Sequence, residues 1–226
     1  MQNLNNKLNF YKKNGYIILN TFTKEEINFF KKKIENRINK LSSNAFKKKF
    51  NLEYYHKKKF DIDIHSKVIK QNQRYIHLSP KIITKIHKNP YIQNILNYYW
   101  NHYKFDLLMM GSRKKNNLDP FILNTASYRI ARPTSYSKND VGGCHYDLKY
   151  GGSKNTNQNA FASLWTPICG FNQKYSLKIY PKTHLITHNE NNLSKQTKFT
   201  SSVFKESYTK KFKSIRPNLK KGQSIF

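Results

Sequence analysis

The apolar residues near the start of the chain recur with a helical period. Between residues 27 and 41 they are spaced by steps of three and four, which places them on one helix face: Ile27, Phe30, Ile34, Ile38 and Leu41. Thr23 and Glu26 have the spacing of a capping box, so we predict that a helix begins after Thr23. The stripe indicates a face turned to the core and not a cofactor site.

A short apolar run at residues 15–19 precedes this helix and predicts a buried strand. Residues 44–75 mix lysine clusters with Phe and Tyr, which is typical of a solvated insertion and, alternatively, of a nucleic-acid-binding segment. Ser79-Pro80 predicts the start of a second helical region, with a break near Asn89-Pro90.

After residue 104 the pattern changes from helices to strands. Turn-rich loops separate five predicted strands, at residues 105–111, 121–132, 161–169, 176–180 and 224–226. Helices followed by strands indicate an α+β fold, in which a jelly-roll barrel follows a helical region. We therefore predict one domain over residues 1–226, with a helical part at 1–104 and a barrel part at 105–226.

His145 and Asp147 are the strongest candidates for metal ligands. In an extended strand, side chains two residues apart point to the same side, so both would reach one cation. A His and a carboxylate are two of the three ligands of the facial triad that binds Fe(II) in non-haem oxygenases, and we expect a distant His as the third. The alternative is a strand-end His that bonds a neighbouring carboxylate. The segment Asp61-Ile62-Asp63-Ile64-His65 is a weaker competing site.

The formal net charge of +30 predicts attraction to anionic partners. Only six of the 42 basic residues are Arg, the residue on which base readout and bidentate phosphate binding depend most, so we expect no sequence-specific nucleic-acid binding. Lys, Asn and Ile share A/T-rich codons, and codon bias is the simpler explanation of the charge.

Cysteine content and the absence of long apolar runs indicate a cytoplasmic protein that is soluble or at most peripheral to a membrane. Cys144 and Cys169 cannot form a disulfide framework, and residues 1–10 do not have the form of a secretory leader. The apolar runs fall far short of the roughly 20 residues that span a bilayer. Strand alternation turns Cys144 away from His145, so we expect it to pack and not to bind metal.

The order of the motifs resembles the phytanoyl-CoA dioxygenase family, which comprises Fe(II)- and 2-oxoglutarate-dependent oxygenases built on a double-stranded β-helix, a jelly-roll or cupin-like barrel with flanking N-terminal helices. The segments that carry the resemblance are residues 15–19 (GYIIL) with 23–26 (TKEE), 78–80 (LSP), 128–133 (YRIARP) with 142–147 (GGCHYD), 164–168 (LWTPI) with 176–184 (SLKIYPKTH), and 219–226 (LKKGQSIF).

This resemblance implies an enzyme that hydroxylates a small organic or acyl substrate with O2 and 2-oxoglutarate as co-substrates. His145 and Asp147 would hold Fe(II), and a carboxylate at position 147 favours hydroxylation over halogenation. The candidates for lining the pocket are Tyr128, Arg132, Ser163 and Trp165. For the two aromatic residues the alternative is packing in the core, and for the arginine it is a surface cation.

The chain departs from the family pattern in three places. Lys182 replaces a usual Gly after Pro181, Gln223 replaces a common acidic residue, and His184 matches a structural and not a metal-binding position. The family's third iron ligand and the Arg that pairs with 2-oxoglutarate follow the strand that residues 219–226 resemble, so we expect the C-terminal strands to be missing here. The alternative functions are an inactive fragment or remnant of the fold and a basic polyanion- or nucleic-acid-binding protein.

Overall fold

The computed structural model describes residues 2–41, 49–57, 75–103, 125–131, 143–145, 163–173, 176–186, 188–193 and 203–226. Its helices are α1 (Gln2–Asn14), α2 (Lys24–Leu41), α3 (Leu52–His56), α4 (Pro80–His87), α5 (Pro90–Tyr103) and α6 (Glu206–Thr209). Its strands are β1 (Ile18–Asn20), β2 (Tyr75–His77), β3 (Thr125–Ser127) and β4 (Gln223–Ile225).

Helix α2 begins where the capping box predicts. The Thr23 amide donates to the Glu26 carboxylate at 2.8 Å, and the Glu26 amide donates to the Thr23 hydroxyl at 3.2 Å. These two bonds satisfy amides that have no partner within the helix. The predicted apolar stripe faces the core, where Ile27, Ile34 and its other members pack, so this prediction is confirmed.

Helix α1 was not predicted, because its sequence is rich in Asn and buries only Tyr11. Tertiary contacts stabilise it instead. It packs against α5, and the ammonium groups of Lys7 and Lys12 lie over the rings of Tyr91 and Tyr98, 4.2 and 4.1 Å from their centroids. Helix α5 and the preceding α4 lie on either side of the predicted break near Asn89.

Strand β4 is held by backbone bonds on both sides. It pairs antiparallel with β1, in a register that places Ile18 opposite Ile225, and Ile225 exchanges two 2.8 Å backbone hydrogen bonds with Trp165. Because directly opposite residues share a face, Ile18, Ile225 and Trp165 lie on one side of this arrangement. The other side, which includes Leu19 and Phe226, packs in the helical core.

A second antiparallel pair joins β2 to β3, with Ile76 opposite Ala126. Ile130 continues the inward-facing side after β3, and an isolated bridge joins Ile179 to Ile215. These described elements contain helices and two small antiparallel sheets, without a closed barrel among them. The predicted strand at residues 105–111 and the ends of those at 121–132 and 161–169 lie outside the described residues, so the barrel stays a prediction.

Among the helices in the described ranges, none combines the length and apolar character needed to cross a bilayer.

The turn after Pro181 attaches the second half of the chain to the end of α1. The Lys182 amide donates to the Asn14 carbonyl at 3.0 Å, and His184 Nε2–H donates to the Lys12 carbonyl at 2.9 Å. Gly15 has φ 76°, and a Cβ there would overlap the His184 ring. His184 therefore has the structural role that the sequence indicated.

Lys182 adopts a left-handed backbone conformation that glycine adopts more readily. Its φ is 69° and its ψ is −5°, a left-handed conformation that the described part of the chain shows in no other non-glycine residue. A Cβ in this region clashes with the backbone. Lys182 therefore takes this left-handed turn at a cost in strain.

We predict that Lys182→Gly raises the free energy of unfolding by about 0.5–1 kcal/mol, because relief of left-handed strain exceeds the added chain entropy of glycine. Urea denaturation of both proteins measures the change. Lys178→Gly is the matched control: Lys178 has no positive φ, so glycine there lowers stability. Equal losses in both variants would contradict the assignment of strain to Lys182.

A polar pair lies inside the packed face of β4. The Ser224 side chain is fully buried, and its hydroxyl lies 2.7 Å from that of Thr166, which neighbours Trp165 on the paired segment. The two hydroxyls form a hydrogen bond with each other where water is excluded. Removal of either hydroxyl leaves the other without this hydrogen-bond partner.

Ser224→Ala and Thr166→Val should each lower the free energy of unfolding by about 1–3 kcal/mol, and the double variant should lose less than the two losses combined. Chemical denaturation of the four proteins gives the coupling energy. Thr84→Val on α4, where Thr84 is exposed, serves as a control with little effect. Strict additivity would show that the two hydroxyls do not interact.

Candidate functional site

The backbone of residue 144 anchors the candidate ligand His145 to the C-terminal part of the chain. The amide of Phe204 donates to the Cys144 carbonyl at 2.7 Å, and Phe204 also forms an antiparallel bridge with Leu193. A Cβ on Gly143 would lie 3.1 Å from a methyl group of Val203, so the segment runs close to this neighbour. His145 is thus presented by backbone that is bonded to another segment.

The ring of His145 has the tautomer that suits a metal ligand bound through Nε2. Its Nδ1 lies 2.6 Å from the Gly143 carbonyl oxygen. A carbonyl oxygen can only accept, so Nδ1 carries the proton and Nε2 would be the nitrogen to coordinate a metal. Backbone carbonyls commonly orient metal-binding histidines in this way.

The other predicted ligand, Asp147, lies outside the described residues, as do Arg132 and the competing segment at residues 61–65. Within the described ranges, no group of three or more His, Cys, Asp or Glu side chains is arranged to hold a metal ion. The donor chemistry and tautomer of His145 fit Fe(II). The rest of the ligand set stays a prediction.

Trp165 lies on the side of the β1–β4 arrangement that faces away from the helical core. It is half-buried opposite Ile225, and Ser163 is exposed two residues earlier in the chain. Leu164, between them, packs against the helical core. An exposed hydroxyl and a half-buried indole ring two residues apart can form part of a pocket wall.

Tyr128 is 7% exposed and belongs to the hydrophobic core together with Ile76 and Ile130. Its ring therefore packs as the core-aromatic alternative predicts. Participation of its hydroxyl in co-substrate binding stays a prediction.

Both cysteines are partly buried, and burial raises the pKa of each thiol. For Cys144 the nearby Lys178 opposes this rise, and for Cys169 Lys31 does so. A thiol with a raised pKa is protonated at neutral pH and is a poor metal ligand. These pKa shifts agree with a packing role for Cys144 beside His145.

His188 was not singled out from the sequence, although it supports the segment that anchors residue 144. Its Nε2–H donates to the Thr183 carbonyl at 2.9 Å, and the Tyr208 hydroxyl donates to Nδ1 at 2.9 Å. Its ring packs against those of Phe204, Tyr208 and Phe212. Thr183 is five residues away, but the three aromatic partners come from a later segment of the chain, so no local pattern indicates this role.

Comparison with known proteins gives no relative of this chain. A scan against protein-family models gives no match to the chain, and neither curated proteins nor solved structures match it.

Proposed function

We propose that the protein is an Fe(II)- and 2-oxoglutarate-dependent dioxygenase that hydroxylates a small organic or acyl substrate. The observation that carries the proposal is the 2.6 Å hydrogen bond between His145 Nδ1–H and the Gly143 carbonyl. This bond orients the imidazole so that Nε2 would be the coordinating atom, at the position where the sequence resembles the family's first iron ligand, and in this way it supports the proposal.

The pairing around β4 gives separate support. The segments at residues 15–19, 164–168 and 219–226 each resemble a segment of the oxygenase family, and here they lie side by side, with β4 between β1 and Trp165. In the family, the strand that residues 219–226 resemble leads into the third iron ligand. Its direct neighbour here carries the two pocket candidates, Ser163 and Trp165.

In this proposal the iron supplies, when bound with 2-oxoglutarate and O2, the oxidative chemistry that couples decarboxylation of the co-substrate to hydroxylation of the substrate. His145 binds through Nε2, and the Gly143 carbonyl keeps its ring oriented. The Asp147 carboxylate is the proposed second ligand. The Ser163 hydroxyl offers a hydrogen bond to a bound carboxylate, and the Trp165 ring covers substrate and excludes water.

Turnover of 2-oxoglutarate tests the proposal. Succinate formation should require Fe(II) and should fall at least 100-fold in His145→Ala, because a facial triad loses one of its few protein ligands. The assay compares the chain of 226 residues with a version extended by whatever its reading frame encodes after Phe226.

His77→Ala is the matched control, because His77 is an exposed histidine on β2, and this variant should keep full turnover. Turnover that survives His145→Ala unchanged would contradict the role of His145 as a ligand. If neither chain length shows iron-dependent turnover, the proposed dioxygenase activity is contradicted and a non-catalytic remnant of the fold is favoured.

Steady-state kinetics of Trp165→Ala test the pocket wall. Loss of the indole should raise the KM for substrate or 2-oxoglutarate about 10-fold, an effect of the size expected from one lost apolar contact. Iron affinity should not change, because Trp165 carries no ligand atom. Phe29→Ala, which removes an exposed aromatic ring on α2, should leave both constants unaltered. An unchanged KM in Trp165→Ala would place the pocket elsewhere.

A further inference from the structure

Three exposed apolar side chains lie on the two segments that meet at the end of α1, namely α1 itself and the turn at residues 182–186. Leu185 is 66% exposed, the largest fraction among the exposed large hydrophobic residues of the described chain, and Phe10 and Ile186 are 45% and 41% exposed. We call these three residues with the exposed lysines Lys13 and Lys182 the apolar–basic patch.

The patch is held together by bonds between its two segments. The Lys182 amide donates to the Asn14 carbonyl, His184 donates to the Lys12 carbonyl, and Phe10 packs edge to face on Tyr16 at 5.4 Å. The Leu185 amide also bonds the Lys182 carbonyl at 3.2 Å, which fixes the turn that carries the two aliphatic residues. These side chains are therefore presented on ordered backbone.

Both segments that build the patch lack carboxylates. Residues 1–24 and 148–189 contain no Asp and no Glu, although the chain has 12 acidic residues. The exposed ammonium groups of the patch consequently have no acidic neighbour within their own segments. A surface of this composition attracts an anionic partner, and it also offers apolar side chains for that partner to cover.

The chemistry of the exposed residues distinguishes between three possible partners: a single-stranded nucleic acid, a second copy of the chain and an anionic bilayer. Single-stranded nucleic acids are bound by aromatic stacking and by Arg, whereas two of the three apolar residues here are aliphatic and both cations are Lys. A second copy of the chain would bring the same positive charges together at a two-fold interface. A bilayer with anionic headgroups accommodates both features, because aliphatic side chains enter the headgroup region and lysines interact with lipid phosphates.

We propose that the apolar–basic patch docks the protein peripherally on an anionic membrane surface, with Leu185 and Ile186 inserted among the headgroups and Lys13 and Lys182 against lipid phosphates. Docking requires neither iron nor 2-oxoglutarate. It can therefore fail or succeed independently of the proposed oxygenase activity.

Co-sedimentation with vesicles tests the patch. The protein should bind vesicles of phosphatidylcholine and phosphatidylserine in a 3:1 ratio, bind at least 10-fold more weakly to phosphatidylcholine alone, and dissociate as salt is raised. Leu185→Ser with Ile186→Ser should weaken binding to the anionic vesicles at least 10-fold. Lys13→Gln with Lys182→Gly should do the same, and glycine keeps the left-handed turn at position 182.

Phe29→Ser with Lys32→Gln is the matched control, because it removes an exposed aromatic and an exposed lysine from α2. This control should bind as the original chain does, and circular dichroism verifies that each variant is folded. Equal binding by the patch variants would overturn the proposal, as would equal binding to neutral and anionic vesicles. The protein could instead bind a single-stranded oligonucleotide in preference to vesicles, and lose that binding in the same patch variants. This outcome would overturn the membrane proposal and identify nucleic acid as the partner of the patch.

Discussion

The pairing of β4 with β1 and with the Trp165 segment is the constraint on which the described structure depends. It joins residues 18–20 to 223–225 and brings the middle of the chain beside them. One side of this arrangement packs in the helical core and buries the Ser224 hydroxyl, which is satisfied by Thr166. The other side presents Trp165, two residues after the exposed Ser163. One set of backbone bonds thus separates the core from the proposed pocket wall.

A similar connection between distant segments supports His145. Its backbone neighbour is bonded to Phe204, and Phe204 packs on His188, which in turn bonds Thr183 in the turn that contacts α1. The candidate ligand is therefore linked through a continuous series of contacts to the N-terminal helix. Orientation of a metal-binding imidazole depends on such support, because a small displacement removes Nε2 from coordination distance.

Features with local causes could be predicted from sequence. The start and buried face of α2 follow from a capping box and a 3.6-residue period, and the break between α4 and α5 follows from Asn89-Pro90. Helix α1 could not be predicted in this way, because its stability comes from contacts with α5 and with His184. For the site, the sequence indicated His145, but its bond to Gly143 and its anchoring through Phe204 required the structure. The left-handed conformation of Lys182 could not be predicted from sequence either, because lysine rarely adopts a positive φ.

The pairing of β1 with β4 also has a consequence for how the chain folds. The two strands are about 200 residues apart in sequence. Strand β1 therefore cannot pair with β4 until nearly the whole chain has been synthesised. Closing a loop of this length carries an entropic cost that the local contacts of a helix do not have, and contacts between such distant segments slow folding. Helix α2, whose signals are local, can form early beside an unpaired β1. Until β4 is available, β1 has an unpaired edge that wrong partners and chaperones can bind.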